Sequence, residues 1–256
     1  MEKCLNCNTE LTGEYCHKCG QKRIAPGDRS VPGFLTHFVE EFFTFDTKFF
    51  RSLRLLLFKP GKLTNEYIHG KVNRYTSPLK LYLFMSIVAF FVSSLISPDN
   101  IEDFEGYGPI SSFANDIIAS KNISDELLAE RFNNEMSSKL PLYMFGMILL
   151  FSIPLKLIYL SKKRYYVEHL VFALHFFSFV MFGFTLSFLL ELLIPDISML
   201  MFVFVIPFFY LFIAILNVYK QSIILTFFET SLLFIYFTIL FLFMGITAFL
   251  IAVILI

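Results

Sequence analysis

The chain has 256 residues, of which 56% are hydrophobic and 16% are charged. A soluble domain has about half apolar and about a quarter charged residues, so this composition excludes an ordinary soluble protein and indicates an integral membrane protein. The formal net charge is zero, which gives no indication of nucleic acid as a partner.

The first 24 residues contain all 4 cysteines of the chain, arranged as two Cys-x2-Cys pairs. Two such pairs can supply four thiolates in a tetrahedron, which is the arrangement that Zn²⁺ prefers. We therefore predict a zinc ribbon over residues 1–24, with a structural Zn²⁺ as its cofactor, because a catalytic zinc keeps an open coordination position. The predicted metal ligands are Cys4, Cys7, Cys16 and Cys19.

Two disulfides are the alternative use of these cysteines, and they would require an exported segment. The N-terminus lacks the continuous apolar stretch of a signal peptide, which favours thiolates over disulfides. His17 could compete as a ligand, but four thiolates already complete the site, so we interpret it as a bystander. So small a segment has almost no core, and metal binding would supply its folding free energy.

Residues 25–33 are predicted to form a linker, and residues 34–78 amphipathic helices followed by a basic loop. Apolar residues recur every three or four positions from 35 to 56, which is typical of a helix with one apolar face. Asp46 is a candidate N-cap, and Pro60-Gly61 predict the end of the helix. The segment either lies in the membrane interface or packs under the transmembrane helices, and both arrangements give this pattern.

Residues 79–256 are predicted to form a transmembrane bundle, because they contain five apolar stretches of about 20 residues or more, enough to cross a bilayer. The five stretches are 79–98, 141–160, 168–194, 199–216 and 223–256, the last with its spanning part at about 232–254. The predicted fold class is an all-α polytopic membrane protein with about five transmembrane helices, a small N-terminal zinc ribbon and an amphipathic interfacial helix.

The distribution of Lys and Arg predicts the orientation. Basic clusters precede the first span and separate the second from the third, and Lys220 lies between the fourth and the fifth, whereas the loop 98–140 is acidic. Since cytosolic loops carry the excess of Lys and Arg, we expect a cytosolic N-terminus and an external C-terminus in the inner (plasma) membrane of the cell. The external loop 98–140 carries a predicted helix from Ser124, and it could be a lid, a partner surface or a solvated connection.

Several ionisable and polar residues fall in or beside the predicted spans. In YYVEHLVFALHFFSF, residues 165–179, Glu168 and His175 are about two turns apart and share a helix face. Because charged groups in lipid normally pair or face the bundle, we expect one polar cluster in the inner leaflet. Its predicted members are Lys156, Glu168, His169, His175, Asn217 and Glu229. The cluster is interpreted either as a set that fixes helix packing or as a functional site, namely a proton or ion path or a metal centre.

Three segments carry a resemblance to a known family: FDTKFFRSLRLLLFKPG at 45–61, SPLKLYLF at 77–84 and VEHLVFALHFFSF at 167–179. Together with the ribbon, they resemble an uncharacterised bacterial membrane-protein family, domain of unknown function 3667, often preceded by a short zinc ribbon. The resemblance implies the membrane architecture. It supplies no catalytic residue, and we predict none.

The sequence is compatible with three functions. The first is a membrane-anchored interaction or assembly module, whose cytosolic ribbon binds a cytosolic protein partner. The second is a small ion or solute transporter or channel, which with five spans would need a homo-oligomer to form a pore. The third is an intramembrane enzyme acting on lipids, for which no nucleophile motif or phosphate loop is found. The expected partners are thus the lipid bilayer, a cytosolic protein and a second copy of the chain.

Overall fold

The computed structural model describes residues 2–23, 48–95, 125–191 and 201–254. Between its α-helices the chain forms two short 3₁₀ turns, Val72–Arg74 and Leu160–Lys162, and one π-helical turn, Met201–Val205, within the described ranges. The predicted linker 25–33, the candidate N-cap Asp46 and the stretch 98–124 lie outside the described residues. The α-helices within the described ranges are α1 Lys48–Phe58, α2 Lys62–Ile68, α3 Pro78–Leu95, α4 Asp125–Ile158, α5 Tyr166–Glu191, α6 Ile206–Tyr219 and α7 Ile223–Ile254.

The helices confirm the prediction of about five spans. Four stretches are long and apolar enough to cross a membrane: Val72–Ser93, Tyr166–Leu190, Met201–Tyr219 and Ile223–Ile254. A fifth is α4, if its parts Glu130–Leu140 and Leu142–Ile158, which are bent by 60°, count as one span. The break falls at position 141, a proline, which has no N–H to continue the helical hydrogen bonding. The chain is a multi-pass membrane protein.

Helix α5 occupies the centre of the bundle. It packs most extensively against α3 and also contacts α4, while α7 packs on α4 and α6. In the most apolar part of α5, 78% of the residues are buried, whereas 39% are buried in the most apolar part of α7. The core contains an aromatic cluster in which Phe151 stacks on Phe176 at 5.5 Å between ring centroids, and Phe237 meets Phe176 edge to face at 5.7 Å. Such pairs stabilise a core beyond the area they bury.

The two membrane-proximal helices form a layer under the bundle. Helix α1 ends at Phe58, before the Pro60-Gly61 turn, as predicted. Helix α2 packs against α5 and α6, so for this helix the structure favours packing under the bundle. Helix α1 buries Leu56 but leaves Phe50 and Phe58 75% and 76% exposed, which is the pattern of a helix with an apolar outer edge. Helix α1 also contacts α5, and Phe49 packs on Phe84 of α3, while the position of its exposed phenylalanines in the membrane interface stays a prediction.

A tight contact joins this layer to the end of α6. Gly61 adopts a left-handed conformation with φ 78°, and a Cβ atom there would lie 2.7 Å from the carbonyl oxygen of Ala214. Two reciprocal hydrogen bonds flank the contact: Asn65 Nδ2 donates to Asn217 O at 3.0 Å, and Asn217 Nδ2 donates to Pro60 O at 2.9 Å. The turn and α6 are thus joined by a close backbone approach and by two hydrogen bonds from side chains to backbone carbonyls.

We predict that Gly61→Ala destabilises the protein. The added Cβ would meet the Ala214 carbonyl oxygen, and alanine at positive φ is strained, so the free energy of unfolding should fall by more than about 1 kcal/mol. Thermal denaturation of the purified protein in lipid nanodiscs measures the change. The control is Gly146→Ala, where a Cβ has no neighbour within 4 Å. An unchanged midpoint for Gly61→Ala would contradict the prediction.

Candidate functional site

The four cysteines of the ribbon lie together. Cys4 Sγ and Cys19 Sγ are 3.6 Å apart, as are Cys7 Sγ and Cys16 Sγ, and all four sulfurs lie within 4.8 Å of one another. In a tetrahedral site with metal–sulfur bonds of about 2.3 Å, the sulfurs are about 3.8 Å apart, whereas a disulfide needs about 2.05 Å. The arrangement therefore fits one metal ion with four thiolates, and it does not contain disulfides.

The ribbon consists of two copies of one backbone pattern, offset by twelve residues. The N–H of Cys4 donates to Thr9 O at 2.8 Å, and the N–H of Cys16 donates to Gln21 O at 2.9 Å. Each cysteine pair is followed by one residue at positive φ, which turns the chain back: Asn8 at 60° and Gly20 at 69°. Asparagine and glycine tolerate this left-handed conformation better than other residues.

Two thiols of the site have opposite pKa shifts. Burial raises the pKa of the Cys4 thiol to about 11. Hydrogen bonding to the Thr9 side chain and backbone lowers the pKa of the Cys7 thiol to about 6. A dication bound to the four sulfurs would favour the thiolate form of both cysteines.

The second cysteine pair is attached to the membrane-proximal segment. Gln21 Nε2 donates to Gly70 O at 2.7 Å, and Gln21 Oε1 accepts from the N–H of Asn73 at 3.3 Å. Asn73 Nδ2 donates to Cys19 O at 2.6 Å, and Asn73 Oδ1 accepts from Lys48 Nζ at 2.9 Å. Asn73 thus connects the ribbon to α1.

Three of the six predicted cluster residues, His169, Glu229 and Lys156, belong to one network. His169 Nδ1 and the Tyr219 hydroxyl are 2.8 Å apart, and the Tyr219 ring stacks on Tyr159 at 3.6 Å. The Tyr159 hydroxyl donates to Glu229 Oε2 at 2.7 Å. With its amide nitrogen facing the carboxylate, Gln221 donates to both oxygens of Glu229, at 2.9 and 2.8 Å. The side-chain oxygens of Glu229 therefore accept three hydrogen bonds.

Arg164 adds a positive charge to this network. Its guanidinium lies 5.1 Å from the centroid of the Tyr219 ring, in a cation–π contact, and its Nη2 donates to Val218 O at 2.9 Å. Lys156 Nζ donates to the carbonyl oxygen of Arg164. Lys156 therefore reaches the helix end, as expected for a lysine whose charge moves out of the apolar region.

His175 and Asn217 lie in separate contacts with the membrane-proximal layer. His175 is 2% exposed, and its Nδ1 lies 2.9 Å from Thr64 Oγ1 of α2. Asn217 contacts the Pro60 turn, as described above. Glu168 is half-buried in the first turn of α5, where the helix dipole favours a carboxylate. Among the described residues, the hydrogen bonds of the six predicted positions thus divide into separate groups.

Sequence reasoning did not identify four residues of these contacts: Thr64, Tyr159, Arg164 and Tyr219. The two tyrosines lie at the ends of apolar helices, where tyrosine is enriched in membrane proteins, and this signal could have indicated them. Thr64 gives no comparable signal, because its partner His175 is 111 positions away in the chain.

We predict that Thr64→Val lowers the free energy of unfolding by about 1–3 kcal/mol, because it leaves the buried Nδ1 of His175 without its partner. Valine keeps the shape of threonine, so packing changes little. Thr238→Val is the matched control, since the Thr238 hydroxyl bonds only within its own helix, to Phe234 O. Denaturation in nanodiscs compares the two variants. Equal effects would show that the contact between α2 and α5 contributes nothing.

The chain was compared with known proteins. Residues 46–90 match the model of a family described as protein of unknown function (DUF3667). The match includes α1, α2 and most of α3, and over these residues it confirms the resemblance stated above. No curated protein and no solved structure matches the chain.

Proposed function

We propose that the protein is a membrane-anchored interaction and assembly module whose structural zinc ribbon offers a binding surface to a cytosolic protein. The observation that carries the proposal is the attachment of the ribbon to residues 70–73, because it gives the ribbon a defined position beside the membrane. Four thiolates complete a tetrahedral site and leave no open position for chemistry. The exposed side chains of Leu5 and Tyr15 provide apolar contact area on the ribbon.

The proposed cofactor is Zn²⁺, held by the four cysteines. The sulfur–sulfur distances of 3.6 Å support it, and four sulfur ligands in a tetrahedron are typical of zinc or an iron–sulfur centre. With about 22 residues and almost no core, the ribbon would depend on the metal for its folding free energy.

The proposed orientation places the N-terminus and the ribbon in the cytosol of the cell and the C-terminus outside. Thiolates persist in a reducing compartment, which supports the cytosolic side. Helix α2 contacts His175 in the first half of α5 through Thr64 and Asn217 in the last turn of α6 through Asn65. These helix ends adjoin Lys162, Lys163 and Lys220 in the chain. The basic segments therefore share one side of the bundle, as the positive-inside rule expects.

The alternative of a transporter or channel has weaker support. Nε2 of His169 and Nε2 of His175 are buried without a partner among the described residues, which is a feature of polar pathways. However, the other nitrogen of each ring is used in a contact between helices, and Glu229 is paired with Tyr159. These pairings favour a role in fixing helix packing.

We predict one zinc per chain in the purified protein, and its loss in Cys16→Ser, because three thiolates do not complete the tetrahedral site. Elemental analysis after gel filtration measures the metal content. His17→Ala is the control: the side chain is exposed and adjacent to a ligand, and this variant should keep its zinc. A different metal, or zinc retained in Cys16→Ser, would contradict the assignment.

The proposed interaction is tested by photo-crosslinking in cells that express the full chain. A photoreactive amino acid at Leu5 or Tyr15 should give one discrete protein adduct, and Cys16→Ser should abolish it by unfolding the surface. The same amino acid at Leu232, an exposed position on the lipid-facing helix α7, is the control. No adduct at either ribbon position, in protein with one zinc per chain, would overturn the proposal.

A further inference from the structure

A cavity of about 720 Å³ opens between α1, α2 and the segment that follows α2. Cavities of roughly 300–1,000 Å³ are typical of small-ligand sites. Six of its lining residues are basic: Arg51, Arg54, Lys59, Lys62, Lys71 and Arg74. The cavity is formed entirely by the membrane-proximal layer and is separate from the cysteines and from the polar contacts within the bundle.

The charge of this cavity is strongly unbalanced. Glu66 is the one carboxylate among the lining residues, and it pairs with Lys71 at 2.7 Å. Burial acts to raise the pKa of Glu66, but the hydrogen bond and charge of Lys71, with the charges of Lys62 and Arg74, hold that pKa below its ordinary value. The other five cations have no acidic partner among the described residues. Like charges held together repel, and a bound anion would relieve that repulsion.

We propose that this cavity binds a phosphate-bearing anion. Arginine presents a planar fork of donors that matches phosphate oxygens, and lysine adds point charges, so three of each form a suitable set of donors. A carboxylate ligand would accept fewer hydrogen bonds from these six cations and neutralise less of their charge, because it has fewer oxygens and a smaller negative charge. The size of the cavity leaves room for the rest of a small phosphoester.

The position of the cavity allows two sources for the phosphate. Phe58 lines the cavity and is 76% exposed, and the spanning stretch Val72–Ser93 begins beside it. A lipid headgroup could therefore enter with its tails along the apolar rim, and a soluble phosphoester could enter from the aqueous side. Both sources present the same phosphate chemistry to the same cations.

The ribbon holds one wall of this site. Lys71 and Arg74 flank Asn73, which donates to Cys19 O at 2.6 Å, and the preceding Gly70 O accepts from Gln21. Arg51 reaches across to the carbonyl oxygen of Arg74 at 3.4 Å. The segment that carries two of the six cations is thus positioned by the ribbon on one side and by α1 on the other.

The experiment uses the full chain in nanodiscs and two probes. In the soluble arm, glycerol phosphate is titrated by calorimetry into protein in nanodiscs of phosphatidylcholine alone. In the lipid arm, native mass spectrometry counts the phosphatidylglycerol molecules retained by protein from mixed nanodiscs. At least one arm should show saturable binding by the wild type. Arg54→Gln and Lys62→Gln should each weaken it about tenfold, because each removes a charged hydrogen-bond donor from an exposed position.

Lys162→Gln is the matched control, since it removes one exposed positive charge on the same side of the bundle but outside the cavity. It should bind like the wild type in both arms. If Arg54→Gln and Lys62→Gln weaken binding in the lipid arm alone, the ligand is a lipid headgroup. If they weaken binding in the soluble arm alone, the ligand is a free phosphoester. The proposal is overturned if neither probe binds saturably, if Arg54→Gln and Lys62→Gln bind like the wild type, or if Lys162→Gln weakens binding as much as they do.

Discussion

The carbonyl oxygen of Ala214 and the α-carbon of Gly61 approach so closely that no side chain fits between them. This approach attaches the membrane-proximal turn to α6, and the Asn65–Asn217 hydrogen bond and the Thr64–His175 contact extend the attachment to α5 and along α6. The features outside the bundle depend on it. Helix α2 fixes the segment 70–74, that segment carries the ribbon, and the cavity lies between the same elements.

The ionisable groups near the helix ends beside α2 are held by neighbouring protein groups. His169 contacts Tyr219, and Glu229 accepts from Tyr159, while the two tyrosine rings stack on each other. A buried polar group is costly when it is unpaired, so each contact favours one relative position of the helices over others. This is a physical reason for polar residues in a region where apolar side chains would otherwise slide past one another.

Some parts of this structure could be predicted from the sequence because their signals are local. The spacing of four cysteines indicated the ribbon, hydropathy indicated the spans, and Pro60-Gly61 indicated the end of α1. The packing of the spans could not be predicted. Lipid is as apolar as a protein core, so hydropathy does not separate the two kinds of helix: α7, which is less buried, is even more apolar than the central helix α5. Without a polar face, the rotation of a helix about its axis leaves no signal in the sequence.

The contacts of the six polar residues could not be predicted either, because they depend on how the helices pack. The six residues were expected to meet because they lie at similar depths, but depth does not determine which neighbour a side chain faces. His175 contacts α2 rather than Glu229, because α2 packs against α5, and nothing in the apolar pattern of α5 indicated that neighbour. The basic cavity, too, is formed by cations from three consecutive segments whose separate runs look like ordinary charged faces.

The repeated backbone of the ribbon makes its attachment directional. Thr9 and Gln21 occupy equivalent positions in the two halves, but the Thr9 hydroxyl stays 3.3 Å from Cys7 Sγ, whereas the Gln21 amide extends to Gly70 O. The half that contains Cys16 and Cys19 is therefore the one attached to the segment 70–73, through Gln21 and through the hydrogen bond from Asn73 to Cys19 O. A metal bound to all four sulfurs would hold both halves in the same way, so these side chains set the direction of the attachment.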